Sequence, residues 1–453
     1  MDRNYFASLK LGSCQAGPTH AECGGGMKRL PTPAAAVPRI PKRLILVAMC
    51  FAATSICYID RVNISVAVIP MAETLHWSAT TKGTVLTSFF IGYLFAMLPG
   101  GWLIARYGGR MVLGLALTGW SLATVLTPTA AYAGLPFLIA VRIAMGVAEA
   151  ATFPAVIGLF ARWLPLRERS RAVALQLGGI PVGTIVGLSA TGAVVTTWGW
   201  AAMFWLFGVA GLVFAALWFV AVHETPGAHP RIGAPERALL ADREAATART
   251  PVPWRALLTT RAVWAIIISH FCSNWTLYLM LTWMPSYLHD VQRLNVDKAG
   301  LAAVLPWVCY FVAANVAGAG CDRLVARGVS LLRVRKVVQT VSLLGASAGL
   351  LLAARATSPI EAVAMLCLAL GANGLIAAGF AANHLDIAPR YAGPLYAVSN
   401  TAGTLPGIFG VYITGELLDA TGGYGWTFAA AAAVNVVGVV VWLLWARVDV
   451  VVD

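Results

Sequence analysis

Charge is what this chain has least of. Only 11% of its 453 residues are Asp, Glu, Lys or Arg, against roughly 25% in a soluble globular chain. That is too little to cover a water-facing surface, and lipid is the simplest solvent that tolerates the deficit. Enzyme motifs are missing as well. There is no GxxxxGK[ST] to cradle a nucleoside triphosphate, no GxGxxG in a strand–helix setting and no HExxH, so no ATP motor and no zinc hydrolase are visible. The eight cysteines form no CxxC or Cys/His spacing, which implies neither a disulfide framework nor a metal site. Cys50, Cys57, Cys272, Cys309 and Cys367 lie in apolar runs, Cys321 at a helix end, and Cys14 and Cys23 in the tail. The tail shows no charged n-region, apolar h-region and cleavage site, so no secretory signal peptide is expected. It is poor in acids, as a transit peptide is, but also poor in Ser and Arg.

The formal net charge of +13 raises nucleic acid as a partner, and its distribution argues against it. Basic residues sit in short clusters between apolar runs, not on one soluble face. The aromatic–basic interleaving used on single strands is absent.

Apolar sequence is what the chain has in abundance, at 59% of residues. A spanning helix needs about 20 apolar residues. Twelve runs of that kind fall near 43–71, 82–105, 111–131, 135–161, 172–194, 200–222, 262–288, 299–320, 334–354, 360–384, 392–418 and 424–446. The expected fold is an all-α membrane protein of twelve transmembrane helices in two six-helix halves. Residues 1–40 read as a disordered tail, 41–222 as the N-terminal half, 223–261 as a cytoplasmic central loop and 262–453 as the C-terminal half with a short tail. A lipid bilayer is the one partner the composition demands; a monomer is expected.

Charge asymmetry sets an expected orientation. With the N-terminus cytoplasmic, 26 of the 32 Lys and Arg fall on the cytoplasmic side. Only Lys82, Arg293, Lys298 and Arg355 fall opposite, and Arg61 and Arg142 lie inside spans. This is a positive-inside pattern with both termini cytoplasmic. An internal repeat supports it. Gly83, Tyr93 and Arg106 in and after the second run have the same spacings as Gly300, Tyr310 and Arg323 in the eighth. Parallel halves of this kind place a substrate at the midplane between them.

Ionisable residues inside spans cost at least ~2.5 kcal/mol each on insertion scales and need a reason. The first run holds Tyr58, Asp60 and Arg61; the fourth holds Arg142 and Glu149, nearly two helical turns apart and so on one face. Guanidinium forks bind an anion bidentately. The carboxylates can take a coupling proton. The alternative is that Asp60–Arg61 and Arg142–Glu149 are ion pairs locking helices together, although desolvation often exceeds the gain from such a pair. Asn274, Asn383, His384, Asp386 and Asn400 are weaker candidates that serve equally as interhelical glue. Tyr93 and Tyr310 are candidate cavity residues, His270 reads as a packed histidine, and Glu416 and Asp419 read as solvated near the outer face.

The run from about 43 to 446 resembles the major facilitator superfamily, and within it the anion:cation symporter branch that holds sialin, the vesicular glutamate group and the plant plastid phosphate and anion transporters. The segments that carry the resemblance are Asp60-Arg61-Val62-Asn63-Ile64-Ser65-Val66-Ala67, Ser88-Phe89-Phe90-Ile91-Gly92-Tyr93, Asn274-Trp275-Thr276-Leu277-Tyr278 leading to Trp283-Met284-Pro285-Ser286-Tyr287, and Asn383 to Gly393 followed by Ser399 to Thr404. The resemblance implies the major facilitator fold, alternating access and a central arginine-based anion site. It implies substrate binding by Arg61, Arg142, Tyr58, Tyr93, Asn274 and Asn400, and ion coupling by Asp60 and Glu149. No cofactor is implied beyond a coupling ion, H+ or Na+. Two departures matter. The loop motif after the second span reads Gly100 to Gly109 with Ala105 where the family has Asp, leaving Arg106, Asp322 and Arg323 as the candidate conformational latch. Ser273 stands where vesicular glutamate transporters carry Arg, which argues against glutamate. The expected function is secondary transport of a small anion, inorganic phosphate or an organic carboxylate, by proton- or sodium-coupled symport. An uncoupled uniporter or exchanger and a transporter-fold anion sensor are the alternatives. The membrane is a plastid envelope or other organelle membrane, or otherwise the plasma membrane.

Overall fold

A computed structural model describes residues 41–241 and 252–451. The tail read as disordered lies outside the described residues, as do Cys14, Cys23 and residues 242–251 of the central segment. Among the described residues every regular element is helical. The first half comprises α1 (Lys42–Leu75), α2 (Ala79–Tyr107), α3 (Gly109–Ala133), α4 (Leu135–Glu149), α5 (Thr152–Trp163) and α6 (Leu166–Ala221). The central segment carries two short helices, α7 (Ala234–Ala241) and α8 (Trp254–Thr259). The second half comprises α9 (Arg261–Asp290), α10 (Val296–Ala302), α11 (Val304–Ala326), α12 (Leu331–Ala353), α13 (Pro359–Gly374), α14 (Phe380–Ile387), α15 (Ala392–Thr421) and α16 (Tyr424–Trp445).

Nine helices among the described residues are long and apolar enough to cross a bilayer, or ten with the two arms of α2 taken as one span. Two more crossings complete the twelve. The 56-residue α6 is two helices meeting at Gly199, whose φ of +83° turns the chain; such a φ suits a residue without Cβ. The other is the 30-residue α15, long enough to span and rich in Gly and Thr, which falls outside those nine.

The breaks have local causes. Proline lacks the N–H and crowds the carbonyl one turn back, and α2 bends by 54° between Met97 and Pro99. The fourth span breaks directly after Glu149, between α4 and α5. The tenth span has the same length of 29 residues. It breaks at a 3-10 turn, Leu375–Ala377, between α13 and α14.

Close helix approach rests on glycine, as membrane bundles require. Gly92 of α2 lies against the Ile143 carbonyl and Gly146 of α4 against the Phe89 carbonyl, so a Cβ at either would collide with backbone. This contact presses Phe89 and Tyr93 of α2 onto the charged face of α4. The central segment is pinned to the first half through α7. Glu236 accepts from the Lys42 and Arg43 backbone N–H groups at 2.9 and 3.0 Å, capping α1, while Arg43 also bridges to Glu168 of α6 at 2.9 Å.

The halves are joined at one end, and aromatic side chains are exposed at the other. At the arginine-poor end Asp419 of α15 accepts from the Ala79 and Thr80 N–H groups at 3.0 and 2.8 Å. A carboxylate suits a helix N-terminus, where donors are unpaired and the dipole is positive. Lys82 stands 3.7 Å from Asp290, and Gly300 packs on the Leu188 carbonyl. At the arginine-rich end Trp102 and Tyr107 of α2 and Tyr396 of α15 are all more than half exposed. Asp419 was expected to be simply solvated; it is exposed, but it also joins the two halves.

Gly146→Leu should force α2 and α4 apart. Overpacking of this kind costs about 1–3 kcal/mol, so the variant should melt below the wild type in detergent by fluorescence-detected size exclusion. An unchanged melting temperature would contradict the close contact.

Candidate functional site

The four intramembrane charges come together. Asp60, Arg61, Arg142 and Glu149 are each at most 7% exposed. Their pairing runs between helices, unlike either pair anticipated from sequence. Arg61 Nε donates to Glu149 Oε2 at 2.7 Å, joining α1 to α4. Neighbouring residues on a helix do not face each other, which is why Asp60 and Arg61 diverge. Asp60 instead points toward α3, where Thr124 Oγ1 and Asn63 Nδ2 each lie 3.4 Å from its Oδ1. Arg142 forms no ion pair with Glu149, its Nη1 lying 3.2 Å from Met145 Sδ. Cys57, one turn before Arg61, donates to the same Glu149 oxygen at 3.2 Å.

Aromatic rings hold the guanidiniums in place. The Arg61 guanidinium stands 5.0 Å from the Tyr58 ring, 5.1 Å from Phe89 and 4.6 Å from Tyr93. Arg142 lies 5.5 Å from the same Phe89 ring. A desolvated cation over a ring gains about 2 kcal/mol, so this cage offsets part of the burial cost. Phe89 therefore lies between both cations. Sequence reasoning did not select it, although it sits one helical turn before Tyr93. Cys57 was likewise noted only as lying in an apolar run.

Each of the four charged side chains keeps a buried polar atom without a hydrogen-bond partner: Asp60 Oδ2, Arg61 Nη2, Arg142 Nε and Glu149 Oε1. An unmade bond to a buried group costs about 1–3 kcal/mol, and more for a charge. A purely structural clasp would gain by satisfying them. A cluster with two free donors and two free acceptors is instead matched to an anion and to a proton or cation.

The other predicted residues divide. Tyr58 and Tyr93 line the cluster. Asn274 donates to the Gly403 carbonyl at 2.7 Å, tying α9 to α15, which is the glue reading. Asn400 is half-buried on α15, and Tyr310 packs near Trp307, 5.8 Å between rings. Asp386 is held by Arg335 at 2.7 Å, and Asn383 donates to the Arg447 carbonyl at 2.8 Å. The candidate latch is not joined. Arg106 lies over Trp102 and Tyr107, Asp322 and Arg323 are exposed, and none of the three forms an ion pair among the described residues. The acid at the α2–α3 corner is Glu224, missed in the sequence. It accepts from the Gly109 and Arg110 N–H groups at 3.1 and 2.8 Å and pairs with Arg162 at 2.6 Å. Its signal was its place as the first acid after the sixth run.

A family model described as Major Facilitator Superfamily matches residues 50–411. The chain belongs to the major facilitator superfamily. It is 40% identical to a probable chloroplastic anion transporter 4 of Oryza sativa subsp. japonica, over 89% of this chain and 68% of that one. It is 38% identical to the chloroplastic ascorbate transporter of Arabidopsis thaliana, over 92% and 77%. It is 39% identical to the chloroplastic sodium-dependent phosphate transport protein 1 of Arabidopsis thaliana, over 91% and 81%. These relatives place it in the anion:cation symporter branch. Among solved structures it is similar in fold to a bacterial homolog of the human lysosomal transporter Spinster in an inward-facing, occupied conformation. The TM-score is 0.73 at 17% identity, covering 90% of this chain and 98% of that one. The chain is thus a multi-pass membrane transporter of this superfamily and not an enzyme.

Removing one member of a buried ion pair leaves an uncompensated charge and costs about 3–5 kcal/mol. Arg61→Met and Glu149→Leu should each lower the melting temperature in detergent, and the double variant should recover part of the loss. Additive losses in the double variant would contradict the pairing.

Proposed function

We propose that the cluster is the transport site, that the anion binds between Arg61 and Arg142, and that Glu149 carries the coupling proton. The observation that carries this reading is the set of four orphaned polar atoms around the Arg61–Glu149 pair.

Charge balance explains the coupling. With Asp60 and Glu149 ionised the cluster holds two positive and two negative charges and is neutral. An anion arriving alone would leave a net negative charge in a low-dielectric interior, where charge interactions are several-fold stronger than in water. A proton on Glu149 restores neutrality and releases Arg61 Nε from its carboxylate. The anion's oxygens then take the place of the Glu149 oxygen, on a guanidinium already free at Nη2. Proton and anion therefore favour each other's binding, which is the thermodynamic requirement for symport. Sodium could play the same role at the free Asp60 and Glu149 oxygens, but a discrete cation beside Arg61 would be repelled, which favours a proton carried covalently on the carboxyl.

Placing the arginine-rich end in the cytoplasm or stroma follows the positive-inside pattern. The halves then part toward that compartment and close at the other side, an inward-facing state. Reorientation must break the Asp419 cap on α2 and the Lys82–Asp290 contact. The ascorbate and phosphate relatives support a substrate that is a small oxyanion or carboxylate, and a plastid envelope as the membrane.

Lysine cannot reproduce the planar fork, so Arg142→Lys should abolish uptake in proteoliposomes screened against phosphate and small carboxylates; wild-type uptake would sink the site assignment. Glu149→Gln should lose gradient-driven accumulation and keep counterflow exchange. Survival of accumulation would remove Glu149 from the coupling role.

A further inference from the structure

A second buried polar group lies in the other half, away from the arginines. His270 of α9 and His384 of α14 are 6% and 3% exposed, and both reach one hydroxyl, Ser399 of α15. His270 Nδ1 lies 3.2 Å from Ser399 Oγ and His384 Nε2 lies 2.8 Å from it. His384 Nδ1 faces the Ala381 carbonyl at 3.0 Å. Ser399 Oγ also lies 3.1 Å from the Tyr396 carbonyl.

The donors can be counted. A carbonyl only accepts, so His384 Nδ1 carries a hydrogen. Serine has one hydrogen to give. If it goes to His384 Nε2, the imidazole is neutral and fully bonded. If it goes to the Tyr396 carbonyl or to His270, then His384 Nε2 must donate to Ser399 Oγ, and the ring carries both hydrogens and a positive charge. Both arrangements satisfy every group on the ring with the same heavy-atom positions. They differ by one proton on His384 and a rotation of the Ser399 hydroxyl. We propose that His384 is a second proton-binding site, in the C-terminal half, with Ser399 as its switch.

The surroundings suit this role. From α9 the titratable neighbour is His270, and from α15 it is Tyr396, whose ring centre is 5.6 Å from that of His384. Tyr391, just before α15, packs in an apolar cluster with Phe380 and Ile387 of α14. Arg335 of α12 is engaged by Asp386 on α14 itself, at 2.7 and 3.2 Å, and the two charges cancel. Among the described residues His384 itself forms no ion pair. Tyr396 is 52% exposed at the arginine-rich end, and its ring lies 6.0 Å from that of His270.

The consequence for coupling rests on the transport reading above: a carrier with proton sites in both halves can move a dianion with two protons. Two measurements test the inference. In nanodiscs with 15N-labelled histidine, one ring should change between neutral and doubly protonated across the titration, and that signal should vanish in His384→Gln and shift in Ser399→Ala. In liposomes supplied with inorganic phosphate, His384→Gln should carry one proton fewer per anion and keep counterflow. A His384 ring that stays neutral throughout, or an unchanged proton-to-anion ratio in His384→Gln, overturns the proposal. If the wild type moves neither phosphate nor small carboxylates, the transport reading fails, while the ring titration still decides the proton site.

Discussion

A guanidinium and a carboxylate 2.7 Å apart inside an apolar bundle constrain everything around them. Neither ion could be buried alone, and the pair itself is a poor source of stability, because desolvation consumes much of the attraction. The surrounding architecture compensates. Glycines at 92 and 146 let α2 and α4 approach until Phe89 and Tyr93 cover Arg61. The fourth span breaks immediately after Glu149, so this carboxylate sits where the helix ladder is already interrupted. In the proposed cycle that cost serves exchange, with an anion taking one partner's place and a proton neutralising the other.

The two ends of the molecule serve that exchange in opposite ways. At the arginine-poor end small residues and a carboxylate cap hold the halves in backbone contact through Asp419, Gly415 and Gly300. At the arginine-rich end, the bend in α2 near Pro99 redirects its last two turns. Glu224 braces the α2–α3 corner from within the first half. It stabilises a half without clasping it to the other, which is consistent with the unjoined Arg106, Asp322 and Arg323. In the proposed cycle the contacts on the closed side are what must yield.

The fold was legible because lipid imposes a simple rule: a run of about 20 apolar residues can only be a spanning helix. The charged residues were legible for the same reason, since each stood out against an apolar run. Their partners were not. Which face of α1 Asp60 and Arg61 occupy depends on how helices are arranged around it, and no periodicity in one run states that. The actual pair joins residues 88 positions apart. Phe89 and Cys57 were invisible because an apolar side chain beside a charge looks like any other apolar side chain. Asn274 and Asn383, chosen for their polarity, turned out to tie helix to helix. Ser399 escaped notice because a serine in a Gly-rich helix is unremarkable until two imidazoles are found on it.

Infrared difference spectroscopy of the reconstituted protein, with and without a saturating small anion, tests the exchange at Glu149 most directly. The account predicts that anion binding brings up the band of a protonated carboxyl group, and that Glu149→Gln removes this band while Asp60→Asn leaves it. A wild-type spectrum in which the anion binds with no carboxyl group changing its protonation would contradict the account.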